Sequence, residues 1–396
     1  MTAGALDGLR VLEMGQLLAG PFCGQLLGDH GADVVKLEDP RAGDPIRQWG
    51  REQKDGTPLW WPIVARNKKS VTCDLRTADG QRIAREFAAQ ADIVLENFKP
   101  GTLERWGLGY DELSAANPGL IMVRVSGFGQ TGPDAHRPGY GSIGEAVGGL
   151  RDVVGDPDRP PSRCGISIGD SLAGTFACVG TLAALHHRTA TGRGQIVDVA
   201  IYESVLAVME SLLPEWELAG HRRPRTGARL PNVVPSNVYP TADGGGVLIA
   251  ANADSPFRRL FTLMGEPELG ERYAPHEERI ARADELDALI AAWSARHTTE
   301  EVLSLLDTHD VPAGRIYTAA DMLADPHFAA RESIVHVTEP RLGSFPMQNI
   351  FPRLSDTPGA IRWTGPTLGE HTDELLSKDL GRSPAEIDDL RKRGVV

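Results

Sequence analysis

The start of the chain alternates between apolar runs and a helical pattern. LRVLEM and ADVVKLEDP are apolar runs, and a glycine-punctuated helical pattern, GQLLAGPFCGQLLGDHG, lies between them. Continuous apolar runs are typical of strands that are buried on both faces, and two such strands joined by a helix form a βαβ unit. The segments ADIVLENF, GTLERWGLGYDELSAAN and GLIMVRVSGFG repeat this order. The pattern therefore predicts an α/β fold with a parallel, doubly wound sheet.

A third helical segment begins around Asp170. The residues before it, ISIG, have the pattern of a strand end, and SLAGTFACVGTLAALHHRTATG after it is apolar on nearly every face. We expect a buried helix that ends at the turn 191–194, followed by a strand in QIVDVAI.

The pattern changes in residues 214–237. This stretch contains HRRPRTGARLPNVVPSN, which is basic and proline-bearing, and we interpret it as a linker between residues 1–213 and a smaller α+β domain at 238–325. That domain is predicted from the hairpin signal VYPTADGGGVLIAA and the helical patterns ARADELDALIAAWSARH and TTEEVLSLLDTHD. The remaining segment, 326–396, is expected to be loop-rich until Ser383, which begins a capping pattern for a terminal helix.

Length, charge and cysteine spacing limit the function classes. A chain of 396 residues exceeds the usual size of one hydrophobic core, and a net charge of −13 argues against general nucleic-acid binding. No uninterrupted apolar stretch approaches the length of about 20 residues that a membrane span needs. The N-terminus lacks a secretory pattern, so we expect a cytoplasmic protein. The cysteines have neither metal-ligand nor disulfide-framework spacing, which predicts no metal site: Cys23, Cys73, Cys164 and Cys178.

Asp170 is the most suggestive candidate for chemistry because it precedes a long apolar helix. One interpretation is an N-cap, since aspartate commonly accepts backbone N–H bonds at helix starts. The other is a nucleophile: the helix dipole would keep the carboxylate ionised, and N–H groups near Gly169 and Gly174 could serve a developing oxyanion. A carboxylate that attacks a thioester gives a mixed anhydride. Both interpretations stay open on the residues alone.

Basic residues gather in two places that could hold phosphates. Arg66, Lys68 and Lys69 lie in ARNKKSV, and Lys99 and Arg105 lie in FKPGTLER. The alternative for such runs is a solvated face.

Other features of the sequence give weaker evidence for a function. The glycine pattern GQLLAGP matches neither a dinucleotide-binding fingerprint nor a P-loop. Tyr140 and Glu145 are further polar candidates, and core or hydrogen-bonding roles explain them equally well.

The ordered set of motifs resembles the class III CoA-transferases, the CaiB/BaiF-type family that includes formyl-CoA and carnitine CoA-transferases. The matching segments are LDGLRVLEMGQLLAGPFCGQLLGDHGADVVKLEDPRAGDPIR, RNKKSVTCDL, ADIVLENFKPGTLERWGLGYDEL, GFGQTGPDAHRPGYGSIGEAVGG, GDSLAGTFA, TGRGQIVDVAIYESV and LGEHTDELL. They span almost the whole chain, and their order is more specific than any one of them.

The resemblance implies a Rossmann-like large domain built from both chain ends, with 326–396 completing it, and an interlocked homodimer. It implies that Asp170 is the catalytic aspartate, which is acylated and then carries CoA as an aspartyl thioester. CoA esters are then substrates, and no cofactor is permanently bound. The CoA-binding set that the resemblance implies is Gln16, Lys69, Asn97, Phe98, Arg105 and Tyr140. Among these, an arginine suits phosphate and a phenylalanine suits adenine.

Departures from the family pattern narrow the function. Gln16–Leu18 replace the His-Val-Gln of formyl-CoA transferases, and the glycine-loop insertion before the small domain is missing, which disfavours a formyl-CoA/oxalate activity. Tyr140 and Gly141 replace the His and Asp of the related 2-methylacyl-CoA racemases, and a phenol with a pKa near 10 is a poor acid or base for an α-proton. A racemase-type isomerase is the runner-up. A non-catalytic CoA-binding partner subunit is the third alternative, which the retained Asp170 disfavours.

The acceptor is expected to be a dicarboxylic or other organic acid. The linker carries four arginines, one of which could meet a distal carboxylate, although a solvated linker explains them better: Arg222, Arg223, Arg225 and Arg229.

Overall fold

The computed structural model describes residues 4–50, 52–54 and 56–396. Residues 1–3, 51 and 55, which fall in the predicted segment 1–213, lie outside the described residues. The chain divides into two compact units. The first comprises the residues through Leu150, then Cys164–Glu210 and Ala329–Val396, and the second comprises Arg151–Arg163 and Ser211–Phe328. These limits differ from the predicted ones, because residues 151–163 join the second unit.

The elements follow in chain order. The first half contains β1 (Arg10–Glu13), α1 (Ala19–Asp29), β2 (Asp33–Glu38), a 3-10 turn (Pro45–Gln48), β3 (Gln53–Lys54), β4 (Thr57–Pro58), α2 (Trp61–Val64), β5 (Lys68–Thr72), α3 (Ala78–Ala88), β6 (Ile93–Glu96), α4 (Thr102–Arg105), α5 (Tyr110–Ala116), β7 (Ile121–Ser126), α6 (Gly141–Val147), α7 (Leu150–Val153), α8 (Ile168–Thr191), β8 (Ile196–Ala200) and α9 (Ile201–Leu206). The second half contains α10 (Leu212–Ala219), β9 (Asn237–Pro240), β10 (Gly246–Ile249), α11 (Asp254–Leu263), α12 (Pro267–Arg272), α13 (His276–Ala281), α14 (Ala283–Ser294), α15 (Thr299–Thr308), β11 (Ala313–Arg315), α16 (Ala319–Ala324), α17 (Pro326–Ala330), β12 (Ile334–Glu339), β13 (Gly343–Gln348), α18 (Thr372–Lys378) and α19 (Pro384–Lys392).

The first unit is built on a six-stranded sheet in the order β5-β2-β1-β6-β7-β8. All neighbouring strands are parallel, and Val11 of β1 lies in register between Val34 of β2 and Ile93 of β6. The apolar runs of the sequence are these strands, and both faces of the sheet are covered, as continuous apolar strands require. The predicted parallel, doubly wound sheet is confirmed.

Two hydrophobic clusters cover the two faces of the sheet. On one face, α1 and α8 contribute Cys23, Leu27, Ala173, Ala177 and Ala184. On the other, α3, α18 and α19 contribute Ile83, Phe87, Leu375, Leu376, Ile387 and Leu390. The C-terminal helices therefore complete the core of the first unit.

The C-terminal segment also covers the edge strand β5. The His371 N–H donates to the Ser70 carbonyl at 3.0 Å, and the Thr72 N–H donates to the Thr372 hydroxyl at 2.9 Å. These bonds occupy backbone groups that an open sheet edge would offer to another chain.

The second unit contains the antiparallel sheet β11-β10-β9. Val247 pairs with Tyr239, so the predicted hairpin is confirmed, and α14 and α15 are the two predicted helices. Its own core includes Tyr239, Phe257, Leu286, Ile290 and Val302.

Several local predictions are wrong. ISIG is not a strand, since α8 already begins at Ile168. GTLERWGLGYDELSAAN forms two helices because Gly107 adopts a positive φ of 62° between them. Residues 214–219 of the expected linker belong to α10, and the expected loop-rich segment contains the β12–β13 hairpin and α18. The capping pattern at Ser383 is confirmed, with Glu386 as its partner.

Candidate active site

The sheet has its topological switch point between β1 and β6. The chain passes from β1 to β2 and β5 on one side, and then from β6 to β7 and β8 on the other. In open α/β sheets the crevice at the carboxyl ends of these two strands is the usual ligand site. Gln16 follows β1, and Asn97 and Phe98 follow β6, so the structure brings these three predicted residues together at that crevice.

Side chains from separate elements hold the loop after β1. The Asn97 side chain accepts from the Gln16 N–H at 2.7 Å and donates to the Gln16 carbonyl at 2.7 Å. The carboxylate of Asp44 accepts from the Leu17 N–H at 3.0 Å. Leu17 has a positive φ of 63°, a conformation that costs a bulky residue energy unless its surroundings enforce it. Because both of its hydrogen bonds go to Gln16, the side-chain amide of Asn97 is already occupied by the protein backbone.

A buried charge cluster lies beneath this loop. Lys36 Nζ contacts Glu13 Oε1 at 2.9 Å, Asp44 Oδ2 at 2.8 Å and the Gly15 carbonyl at 2.7 Å. Lys68 Nζ contacts Glu13 Oε2 at 2.8 Å. Sequence reasoning missed Lys36, Glu13 and Asp44; the signal that could have found them is charge within the apolar runs.

The pKa values in the cluster follow from burial and pairing. Burial alone would lower the pKa of Lys36, but Asp44 and Glu13 hold it above its ordinary value. Burial alone would raise the pKa of Asp44, and Lys36, together with backbone N–H groups, lowers it below 3.8. Both groups therefore stay charged at neutral pH.

Asp170 lies in the first turn of α8, two residues after its first residue, Ile168. The N-cap position is occupied by Ser167, so the interpretation of Asp170 as an N-cap is wrong. The half-buried carboxylate lies against Gly141, the first residue of α6: a Cβ atom built on Gly141 would be 2.3 Å from Asp170 Oδ2. A Cβ atom on Gly169 would be 2.8 Å from the Gly141 carbonyl oxygen. Two glycines thus let the first turns of α6 and α8 meet at the carboxylate.

Tyr140 and Glu145 flank this contact. Tyr140 immediately precedes Gly141 and is 63% exposed, whereas Glu145 is fully buried beside Gly169. The structure therefore places the Tyr140 backbone next to the contact between Gly141 and Asp170, and leaves the Tyr140 side chain exposed.

Asp170 lies at the same end of the fold as the loop after β1. A Cβ atom on Gly174 would be 2.8 Å from the Ala19 carbonyl oxygen, and Cys23 lies beside Thr181, so α1 and α8 run parallel. Asp170 lies one helical turn before Gly174, so it is at the end of α8 that is next to the start of α1, where Gln16 lies. The N-terminus of α1 and that of α8 both point their positive dipole ends to this edge.

Phe98 and Arg105 follow β6 on the same side. Phe98 packs edge-on against Trp106, with 5.4 Å between ring centroids. Arg105 is exposed, and one of its guanidinium nitrogens contacts the Thr102 hydroxyl at 3.0 Å. Arg105 is therefore accessible to an anion.

The basic segment ARNKKSV does not join them. Lys69 is paired with Asp33, the first residue of β2, at 2.8 Å and points to the amino edge of the sheet. Arg66 and Lys68 are buried, and Arg66 is paired with Asp29 at 2.6 Å. The expectation that Arg66 and Lys68 form a phosphate-holding loop is wrong, because both side chains turn into the core to carboxylates.

The linker arginines are engaged within the second unit. Arg222 is paired with Asp152 at 2.7 Å, and Arg229 with Asp284 at 2.7 Å. Arg223 is paired with Glu215 at 2.6 Å, which contributes to lowering the pKa of that carboxyl to about 2. Arg225 donates to three backbone carbonyls of the segment 156–159.

Two further features concern metals and membranes. Among residues 4–50, 52–54 and 56–396, no group of three or more His, Cys, Asp or Glu side chains could hold a metal ion. Helix α8 is the one described helix whose length and composition would suffice to cross a membrane. This is weak support for a span, because apolar helices of soluble proteins have the same properties.

A half-buried carboxylate where two helices begin, beside the switch point of a doubly wound sheet, is the arrangement of an α/β enzyme with its ligand site at the carboxyl edge. Comparison with known proteins defines the class further. The profile described as CoA-transferase family III matches residues 6–372. The chain belongs to CoA-transferase family III and is a class III CoA-transferase.

Individual relatives are similar over their whole length. The succinyl-CoA--D-citramalate CoA-transferase of Chloroflexus aurantiacus is 58% identical, over 99% of this chain and 98% of that protein. The succinyl-CoA--L-malate CoA-transferase beta subunit of the same organism is 41% identical, over 99% and 98%. The crystal structure of a CaiB/BaiF family protein from Brucella suis has a TM-score of 0.84 at 35% identity and covers 96% of this chain and 100% of that one.

Proposed function

We propose that this chain transfers CoA from an acyl-CoA to a carboxylic acid, with Asp170 as the covalent carrier. The observation that carries the proposal is the contact of the Asp170 carboxylate with Gly141, where the first turns of α6 and α8 meet. Backbone N–H groups of a first helical turn have no partner within their helix, so they are available to a negative oxygen.

The proposed transfer takes four steps. The Asp170 carboxylate attacks the thioester carbonyl, the C–S bond breaks, and the CoA thiolate leaves a mixed anhydride. The thiolate then attacks the aspartyl carbonyl, which releases the donor acid and leaves an aspartyl-CoA thioester. The acceptor carboxylate attacks this thioester, forming a second anhydride and freeing the thiolate again. Attack of the thiolate on the acceptor's acyl carbon gives the new acyl-CoA and restores Asp170.

The CoA moiety is proposed to lie along the edge that bears Phe98, Arg105 and Tyr140, with Gln16 at the thioester end of the bound ester. Arg105 is suited to a phosphate, because its guanidinium is exposed and forms no ion pair with any of the described residues. The Phe98–Trp106 pair offers an aromatic surface. Asn97 would act by holding Gln16. Lys69 would contact CoA only after leaving Asp33, so we give it a lesser role.

The acceptor is proposed to be a dicarboxylic acid and the donor succinyl-CoA. The names of the two Chloroflexus relatives pair succinyl-CoA with D-citramalate and L-malate, both of which are dicarboxylic acids. A matrix of acyl-CoA donors and acid acceptors, analysed by mass spectrometry, tests the proposal. We expect a new acyl-CoA only when a donor and a second acid are both present. Deuterium uptake from solvent at the α-carbon without a second acid would instead indicate the racemase-type reaction.

The enzyme is proposed to be a cytoplasmic homodimer. Phe176, Val179 and Leu182 form an apolar stripe on α8 that is partly exposed in the single chain, and Ile143 and Val147 are exposed on α6. Exposed apolar stripes of this kind mark protein contacts. A second copy of the chain, interlocked with the first as the family resemblance implies, would cover them.

A further inference from the structure

The backbone of three consecutive residues after β1 is fixed by side chains from three different parts of the chain. Lys36 of β2 donates to the Gly15 carbonyl at 2.7 Å. Asn97, after β6, holds both the N–H and the carbonyl of Gln16 at 2.7 Å. Asp44, before the 3-10 turn, accepts from the N–H of Leu17 at 3.0 Å.

The loop needs such support because its conformation is unfavourable by itself. Leu17 has a φ of 63°, where a branched side chain is strained and glycine is preferred. Such strain persists where the surroundings over-determine the backbone, and it concentrates at functional sites. Lys36 and Asp44 are bonded to each other at 2.8 Å and hold the two ends of the bend, so they act on the loop as one unit.

We propose that the buried Lys36–Asp44 pair consists of positioning residues, which hold the strained bend so that Gln16 faces the thioester beside Asp170. The proposal rests on the proposed function. Neither side chain reaches the substrate, since both are buried beneath the loop. Their effect passes through Gln16.

The test removes both charges together, so that no unpaired charge stays buried. In the double variant Lys36→Met/Asp44→Asn, Glu13 keeps Lys68 as its partner at 2.8 Å. We expect kcat to fall about ten- to hundredfold, as small displacements of a reacting geometry do, while the Kd for free coenzyme A changes less than about threefold. A general loss of structure would change both kcat and the Kd for coenzyme A.

A matched control is the pair Arg66–Asp29, which is equally buried and is bonded at 2.6 Å at the opposite end of α1. Arg66→Met/Asp29→Asn is expected to lower the unfolding temperature and leave kcat within about twofold of wild type, because distant substitutions act independently. The thermal unfolding of each variant separates stability from turnover.

A double-mutant cycle shows whether Gln16 is the group being positioned. Gln16→Ala is expected to lower kcat in the wild-type chain and to have little further effect in Lys36→Met/Asp44→Asn, because coupled residues are not additive. Fully additive effects would overturn the proposal, and so would a wild-type kcat in the folded double variant. If the double variant does not fold, the single variant Asp44→Asn is measured by the same criteria. If the wild type transfers CoA and this transfer depends on Asp170, the proposed function holds even when the positioning proposal is overturned. If the wild type shows no Asp170-dependent transfer, both proposals are refuted.

Discussion

The carboxylate of Asp170 lies against the α-carbon of Gly141, at the point where helices α6 and α8 begin. A Cβ atom at position 141 would be 2.3 Å from Asp170 Oδ2, 2.7 Å from Cγ and 2.9 Å from Oδ1. Any side chain at this position must therefore displace the carboxylate. The glycine sets where the proposed nucleophile points.

Substituting Gly141 is predicted to impair turnover more than stability. The atoms that a methyl group would meet first belong to the end of a side chain, so Gly141→Ala can be accommodated by turning the carboxylate away. We expect kcat to fall by about a hundredfold with an almost unchanged unfolding temperature. Gly165→Ala is the control, because no atom lies within 4 Å of its Cβ position. Equal activities of the two variants would show that the contact does not orient Asp170.

Arg105→Ala is predicted to weaken binding of the CoA donor. The loss of one charge-assisted contact costs about 1.5–3 kcal/mol, which raises the donor KM about ten- to hundredfold and leaves the acceptor KM nearly unchanged. Arg82→Ala serves as a control, because Arg82 is exposed and paired with Asp79 on α3. An increase confined to the acceptor KM would assign Arg105 to the acid pocket.

Stability is predicted to fall in acid partly through Asp44 and Glu38. Burial by itself would raise the pKa of each carboxyl group. Lys36 instead lowers the pKa of Asp44 below its ordinary value of 3.8. Arg47 likewise lowers the pKa of Glu38 below its ordinary value of 4.5. The unfolded chain therefore binds more protons near pH 4, and the stabilisation, complete above these ordinary values, is lost as pH falls through the folded pKa values.

Urea unfolding between about pH 6 and 3 measures this effect. The free energy of unfolding should decrease less steeply with acid in Lys36→Met/Asp44→Asn than in the wild type. Parallel pH dependences would show that Asp44 contributes nothing to acid lability.

The sequence predicted the sheet because each strand is a nearly continuous apolar run, and it predicted the β9–β10 hairpin from its glycine turn. It did not predict the partners of the basic residues. Lys68 reaches Glu13 and Arg66 reaches Asp29, which are 55 and 37 residues away in the chain. Only the strand order reveals that these side chains turn inward.

The sequence also did not predict where α8 begins, because the contact made there joins residues that are far apart in the chain. Asp170 has the residue type of an N-cap, yet the helix begins earlier, at Ile168, and the first turn of α6 packs against it. The glycines that permit this packing, Gly141 and Gly169, are separated by 27 intervening residues. A local pattern carries no signal for that contact.

The proposed homodimer is predicted to survive extreme dilution. If the two subunits are interlocked as proposed, they can separate only by unfolding, and separation would expose the apolar stripe on α8. Mass photometry at nanomolar concentration should therefore detect twice the chain mass of 42.7 kDa. A monomer that forms reversibly on dilution would contradict an interlocked arrangement.

The most direct test of the covalent mechanism is to trap the enzyme during turnover. The protein is incubated with succinyl-CoA, treated with borohydride to reduce any aspartyl thioester to the alcohol, digested and analysed by mass spectrometry. If Asp170 is the covalent carrier, the reduced residue is Asp170, in the peptide that contains Gly169-Asp170-Ser171, and the modification requires the CoA ester. An unmodified Asp170 in a preparation that is transferring CoA, with the reduced residue elsewhere or absent, would contradict it.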